Sequence, residues 1–144
     1  MMEKIRKAGV LDANKIAEME SRYIEVAWSE RQIAESMNSG LYDFYVAEID
    51  GEIVAYAFVQ WCLDEGNVCN VATNESFRNK GIATRILNIM QNDAVEKGVK
   101  TLLLEVNEDN ASAISLYEKL GFVRVYTRAN YYGDKSAIVM QKSI

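Results

Sequence analysis

Polar and apolar positions change period along this chain, and the changes mark its elements. After Asp12, the residues Ile16, Met19 and Tyr23 recur at helical spacing. Ser29 followed by Gln32 forms a capping-box pattern and predicts a second short helix to about residue 37. From Tyr42 the period becomes two: Phe44, Val46 and Glu48 share one side, and Asp43, Tyr45 and Ala47 the other. Asp50-Gly51 is a hairpin turn signal, with a return strand from 52 to about 63. Asp64-Glu65-Gly66-Asn67 reads as a second turn before a strand at 68–73, so three antiparallel strands form a meander.

The helical period returns from 81 to about 97, with Ile82, Ile86, Met90 and Ala94 on one stripe and Gly98 as the stop. The apolar run 101–106 suits a strand covered on both faces. Strand, helix and strand at this spacing imply a right-handed crossover and a parallel pair. Asn110 caps a last helix that runs through 120 and ends at Gly121, and strands at 122–128 and 135–141 follow. Residues 4–8 read as a short first strand. The expected class is α/β: a mixed central sheet of about six to seven strands with helices on both faces.

Length and composition narrow this picture. A chain of 144 residues, 49% hydrophobic and 26% charged, fits one globular domain over 1–144. Proline is absent, and no repeat or linker-like stretch suggests a boundary. The longest mainly apolar run, 53–63, is shorter than the ~20 residues a membrane helix needs. No secretory leader pattern stands at the start, so a cytoplasmic, unprocessed protein is expected. A net charge of −5 argues against nucleic-acid binding through a basic face and suits a cationic substrate.

Histidine is absent, which removes Ser-His-Asp triads, Cys-His dyads and histidine metal sites. Cys62 and Cys69 are expected to be free, buried thiols, and no metal is expected. Acid–base chemistry is left to Glu, Asp, Tyr, Lys or Cys.

Gly81 lies where a strand feeds a helix, after Arg78, Asn79 and Lys80. A helix start offers unpaired N–H groups and positive dipole charge, and a glycine lets the backbone approach an anion. Taken alone, such a glycine serves equally as a tight turn. Neither the Rossmann nor the P-loop glycine pattern is present.

In context, Arg78-Asn79-Lys80-Gly81-Ile82-Ala83 resembles the acyl-CoA signature of the GNAT N-acetyltransferase superfamily, Gln/Arg-x-x-Gly-x-Gly/Ala. A second block, Asn110 to Phe122, is similar to the family's Asn-x-x-Ala-x-x-Leu-Tyr-x-x-x-Gly-Phe. Trp28-Ser29-Glu30, Leu104-Glu105-Val106 and Arg128-Ala129-Asn130-Tyr131-Tyr132 bring the chain nearest the ribosomal-protein-alanine N-acetyltransferases (RimI type). Two departures stand out. Ala27 replaces a proline and loosens the substrate-side loop, while Ala83 replaces the last glycine, a common variant that leaves CoA binding intact.

The resemblance implies acetyl transfer from acetyl-CoA to a protein N-terminal α-amine, the acceptor being the N-terminal alanine of a small-subunit ribosomal protein. It implies Glu105 as general base and Tyr117 as general acid. It gives CoA contacts to the backbone at Val71 and Thr73, to the loop Arg78, Asn79, Lys80, Gly81, Ile82 and Ala83, and to the Asn110 side chain. A backbone N–H near Val71 would meet the developing oxyanion.

Trp28, Tyr131 and Tyr132 are candidates for a peptide-binding wall, and equally for core packing. Asp64, Glu65, Glu108 and Asp109 read either as solvated turn residues or as carboxylates that flank the mouth and attract a basic peptide. An α-amine with a reference pKa of ~8 needs less help from a base than lysine at ~10.4. Glu105 would take that proton through water, if burial raises its pKa; its alternative is a strand-end carboxylate, exposed or paired with Arg or Lys. Tyr117 (~10) would protonate a thiolate (~8.5), a mildly uphill step. Two other readings stand beside this one: acetylation of a small-molecule amine or a lysine, and a CoA-binding module without catalysis.

Overall fold

The computed structural model describes residues 2–144. Its strands are β1 (Glu3–Lys7), β2 (Tyr42–Ile49), β3 (Glu52–Cys62), β4 (Glu65–Thr73), β5 (Thr101–Asn107), β6 (Val123–Tyr132) and β7 (Lys135–Ser143). The helices are α1 (Ala13–Tyr23), α2 (Glu30–Ser39), α3 (Ile82–Glu96) and α4 (Ala111–Lys119). All seven strands join one sheet in the order β1-β2-β3-β4-β5-β7-β6. Only β4 and β5 run parallel, as the strand–helix–strand spacing predicts. The mixed α/β class is borne out.

Local signals set the helix ends. The Ser29 hydroxyl accepts the Gln32 N–H at 3.1 Å, and the Gln32 side chain accepts the Ser29 N–H at 2.8 Å, completing the capping box of α2. Asn110 Oδ1 accepts the Ala113 N–H at 3.2 Å and starts α4. α3 begins differently: Gly81, with φ of 76°, precedes it and no side chain caps it.

Two apolar clusters occupy opposite faces of the sheet. One gathers Ile82, Ile86 and Met90 of α3 with Tyr45, Ala47, Leu102 and Leu104. The other gathers Ile16 and Met19 of α1 and Ile33 of α2 with Phe44, Val46, Tyr56 and Phe58. β2 therefore buries both its sides from Phe44 to Ala47, and its alternation sorts residues between two cores rather than between core and water.

Several expectations need correction. The turn before β4 is tighter than 64–67, because Leu63 takes a positive φ of 55° and Glu65, Gly66 and Asn67 already pair with β3. Gly66 is a strand residue whose absent side chain leaves room for Trp61 and Leu102. β5 is buried on one side only; Leu103 and Glu105 are half-exposed. The thiols are not both buried, since Cys62 ends β3 in solvent and Cys69 is half-buried. No helix among the described residues is long and apolar enough to cross a membrane.

Candidate active site

β4 and β5 share a ladder only from Glu65–Thr101 to Val68–Leu104. Immediately beyond it β4 carries a bulge: Val59 faces Val68 and Phe58 faces Asn70, so Cys69 has no partner on β3. A bulge bends its strand and strengthens the twist. Here it falls where β4 leaves β5, and a cavity of about 1210 Å³ fills the gap. Its walls come from both faces of the sheet: Tyr23 and Trp28 from the α1–α2 side, and Ala113 and Tyr117 from α4.

The sequence-derived site residues divide into two groups. Trp28, Val71, Glu105, Asn110, Tyr117, Tyr131 and Tyr132 all line this cavity. Thr73 and the loop Arg78 to Ala83 do not; they lie beyond the end of β4, at the amino end of α3.

That loop is nonetheless built to present backbone. Asn79 and Gly81 both take positive φ, 63° and 76°. Arg78, Asn79, Lys80 and Gly81 are exposed, and the first turn of α3 keeps its N–H groups free of side-chain caps. These are the ingredients of an anion cradle at a helix start. The guanidinium of Arg78 turns inward: its Nε donates to the Thr73 carbonyl at 3.1 Å, and it lies 5.2 Å from the centre of the Tyr23 ring. Arg85 Nη1 donates to the Lys80 carbonyl at 3.1 Å, fixing the loop from the other side. Ile82 is buried in the core, so only its backbone faces the loop, while Ala83 is half-buried.

Glu105 sits on the open side of β5 with its carboxylate 3.3 Å from Arg128 Nε. The arginine partner anticipated for a strand-end carboxylate is therefore present. The Tyr131 hydroxyl faces the same carboxylate, whose charge raises the tyrosine's pKa. Tyr117 is buried with its ring edge-on to Phe122 at 5.8 Å. Burial first, and the neighbouring Tyr132 second, hold its hydroxyl well above the usual phenol value. Asn110 spends its carbonyl oxygen on the α4 cap, and the residue lines the cavity.

Tyr131 and Tyr132 lie within β6 rather than in a loop before the last strand, because β6 runs on to Tyr132. Their rings meet edge-to-face at 5.0 Å. Trp28 serves both readings at once: it lines the cavity and packs edge-on to Phe58 at 5.0 Å. Of the expected mouth carboxylates, Asp109 lines the cavity and pairs with Lys135 at 3.1 Å. Asp64 and Glu65 lie at the opposite, paired end of β4 and β5.

One residue went unnoticed in the sequence. Glu20 is the only buried charged side chain among the described residues, with 0% exposure. Its position four residues after Ile16 and three before Tyr23 puts it on the apolar stripe of α1, and that spacing was the available signal. It accepts hydrogen bonds from the Tyr56 hydroxyl, from Asn70 Nδ2 at 2.7 Å and from the Trp28 N–H at 3.0 Å.

The sequence profile of the Acetyltransferase (GNAT) family matches residues 12–122. Over 143 residues, the chain is 32% identical to the [ribosomal protein bS18]-alanine N-acetyltransferase of Escherichia coli strain K12, with 96% of each chain covered. The crystal structure of the ribosomal-protein-S18-alanine N-acetyltransferase from Escherichia coli superposes with a TM-score of 0.90 at 31% identity. It covers 99% of this chain and 94% of that one. The fold is shared with Arabidopsis thaliana NAA60, solved in complex with acetyl-CoA, at a TM-score of 0.91 and 16% identity, with 99% of each chain covered.

Proposed function

Because the chain belongs to the GNAT acetyltransferase family and is an acetyl-CoA-dependent N-acetyltransferase, we propose that its acceptor is a protein N-terminal α-amine, the N-terminal alanine of a small-subunit ribosomal protein. The observation that carries this reading is one cavity lined together by Glu105, Tyr117, Trp28, Tyr131 and Tyr132. The near full-length likeness to bS18-alanine acetyltransferases supports the choice of acceptor.

Acetyl-CoA enters from the α3–α4 side. Its diphosphate meets the N–H groups of the Arg78 to Ala83 loop, and its thioester lies along β4 beyond the bulge, near Val71. The residues fit this donor, since the loop leaves donors uncapped and exposed next to basic side chains.

The acceptor amine approaches from the Trp28 and Tyr131 side. Once the amine is neutral, its nitrogen attacks the thioester carbonyl. The C–N bond forms, and the proton passes through water to Glu105. The oxyanion is met by a backbone N–H near Val71. As the C–S bond breaks, Tyr117 supplies a proton to the sulfur. Its raised pKa keeps that proton in place at neutral pH and makes donation uphill toward a thiolate at ~8.5, so the transfer draws on the basicity developing in the leaving group.

Transfer is direct. Of the two cysteines, Cys69 lines the cavity, but burial pushes its thiol up to about 11, which leaves little thiolate to accept an acetyl group.

The test is a panel of peptides with free or blocked N-termini, incubated with acetyl-CoA and weighed. Acetylation at a free N-terminal alanine is expected. Turnover of lysines in blocked peptides, or of small amines alone, would select the other readings.

A further inference from the structure

We propose that Glu20 is a positioning residue for the acceptor side of the cavity, its carboxylate tying loop 24–29, and with it Trp28, to the β4 wall at Asn70. The inference rests on the reading that the acceptor enters beside Trp28. A carboxylate is a costly choice for a buried helix position, where an apolar side chain of that volume would pack more cheaply. No cation pairs with it among the described residues; its partners are all uncharged donors, brought by three different elements.

One oxygen takes both the Asn70 amide, from the β4 stretch just past the bulge, and the Trp28 N–H, from the loop between α1 and α2. The other takes the Tyr56 hydroxyl, from β3 beneath them. Asn70 and Trp28 both line the cavity, so a single buried group sets the spacing between two of its walls. Besides this carboxylate, the loop is held by the packing of Ile24 and Trp28 on the α1–α2 core, with the Trp28 ring edge-on to Phe58 and Tyr42. It contains no proline, and the neighbouring tethers are the Ile24 N–H on the Glu20 carbonyl and the Ser29 capping box. Three donors from three elements fix the orientation of this carboxyl group.

Glu20→Ala, Glu20→Asp and Glu20→Gln test this, made in the full chain and also with Trp61→Phe, which leaves Trp28 the only tryptophan. Glu20→Ala is expected to raise the acceptor KM about tenfold while leaving the acetyl-CoA KM within about twofold. Glu20→Gln, still an acceptor for Asn70 and Trp28, recovers most of the loss. Glu20→Asp keeps the charge but is one methylene short; it is expected to raise the acceptor KM and to shift Trp28 emission to the red. It decides the matter should the alanine variant fail to fold. An acceptor KM that stays at the wild-type value in Glu20→Asp, or rises in step with that of acetyl-CoA, overturns the proposal. If the wild-type protein acetylates no α-amine, the acceptor reading falls by itself. The emission of Trp28 then decides alone: a red shift in Glu20→Asp but not in Glu20→Gln supports the positioning role, and no shift overturns it.

Discussion

Arg128 reaches across β7 to place its Nε 3.3 Å from the carboxylate of Glu105. The proposed base is therefore held by a cation before any amine arrives, and an acceptor competes with that cation. The pair is partly exposed, with side-chain exposures of 47% and 27%, so solvent screens it and it contributes little to stability. Arg128→Ala is expected to leave the urea midpoint close to that of wild type. It is also expected to steepen the fall of kcat/KM with salt for a cationic peptide acceptor, measured between low and moderate salt, because the carboxylate is left unopposed.

Glu105→Gln preserves shape and removes the proton acceptor. A fall in kcat of about 100-fold or more is expected, with acetyl-CoA binding by calorimetry unchanged. A variant that keeps wild-type turnover would remove Glu105 from the reaction.

Tyr117→Phe removes a hydroxyl and leaves the ring on Phe122. We expect kcat to fall by about 100-fold, the thermal midpoint to move little, and the deficit to shrink with an acetyl thioester whose leaving thiol is more acidic.

Gly66→Ala puts a methyl 2.7 Å from both Trp61 Cζ3 and Leu102 Cδ2. Those contacts sit where β4 still pairs with β5, so overpacking is expected to cost about 1–3 kcal/mol in urea unfolding.

Burial is the largest influence on Glu20 and raises its pKa above 4.5, against the lowering effect of its three donors. The folded protein thus holds this proton to higher pH than the unfolded chain. Its contribution is most favourable below about pH 4.5, and stability is lost as pH rises through the folded value. Urea unfolding of wild type and Glu20→Gln between about pH 4 and pH 8 should show wild type losing ground to the variant as pH rises.

Features governed by neighbours in sequence were legible there. The Ser29–Gln32 box, the Asn110 cap, and the stops at Gly98 and Gly121 depend on a few adjacent residues. The turn at Gly81 into α3 is of the same kind, set by a glycine of positive φ just ahead of an amphipathic helix. Features that depend on distant partners were not. The departure of β4 from β5 arises from a bulge at Cys69 that is defined only by its register with Phe58 and Val59. The Arg128–Glu105 pair needs β6, β7 and β5 to lie side by side in an order the chain does not follow. Glu20 reads as an ordinary surface carboxylate until the helix is wound and its neighbours on the stripe prove to be core.

β6 is the outermost strand, and all but its last residue are exposed, yet Arg128, Tyr131 and Tyr132 are all carried on it. Residues proposed to read the acceptor thus hang from an edge of the sheet that is paired on one side only. Glu105 and Tyr117, by contrast, belong to elements packed into the interior. Mutation at the rim therefore carries little penalty in folding, and lineages descended from such a chain are free to change which acceptor they modify while inheriting the transfer chemistry intact.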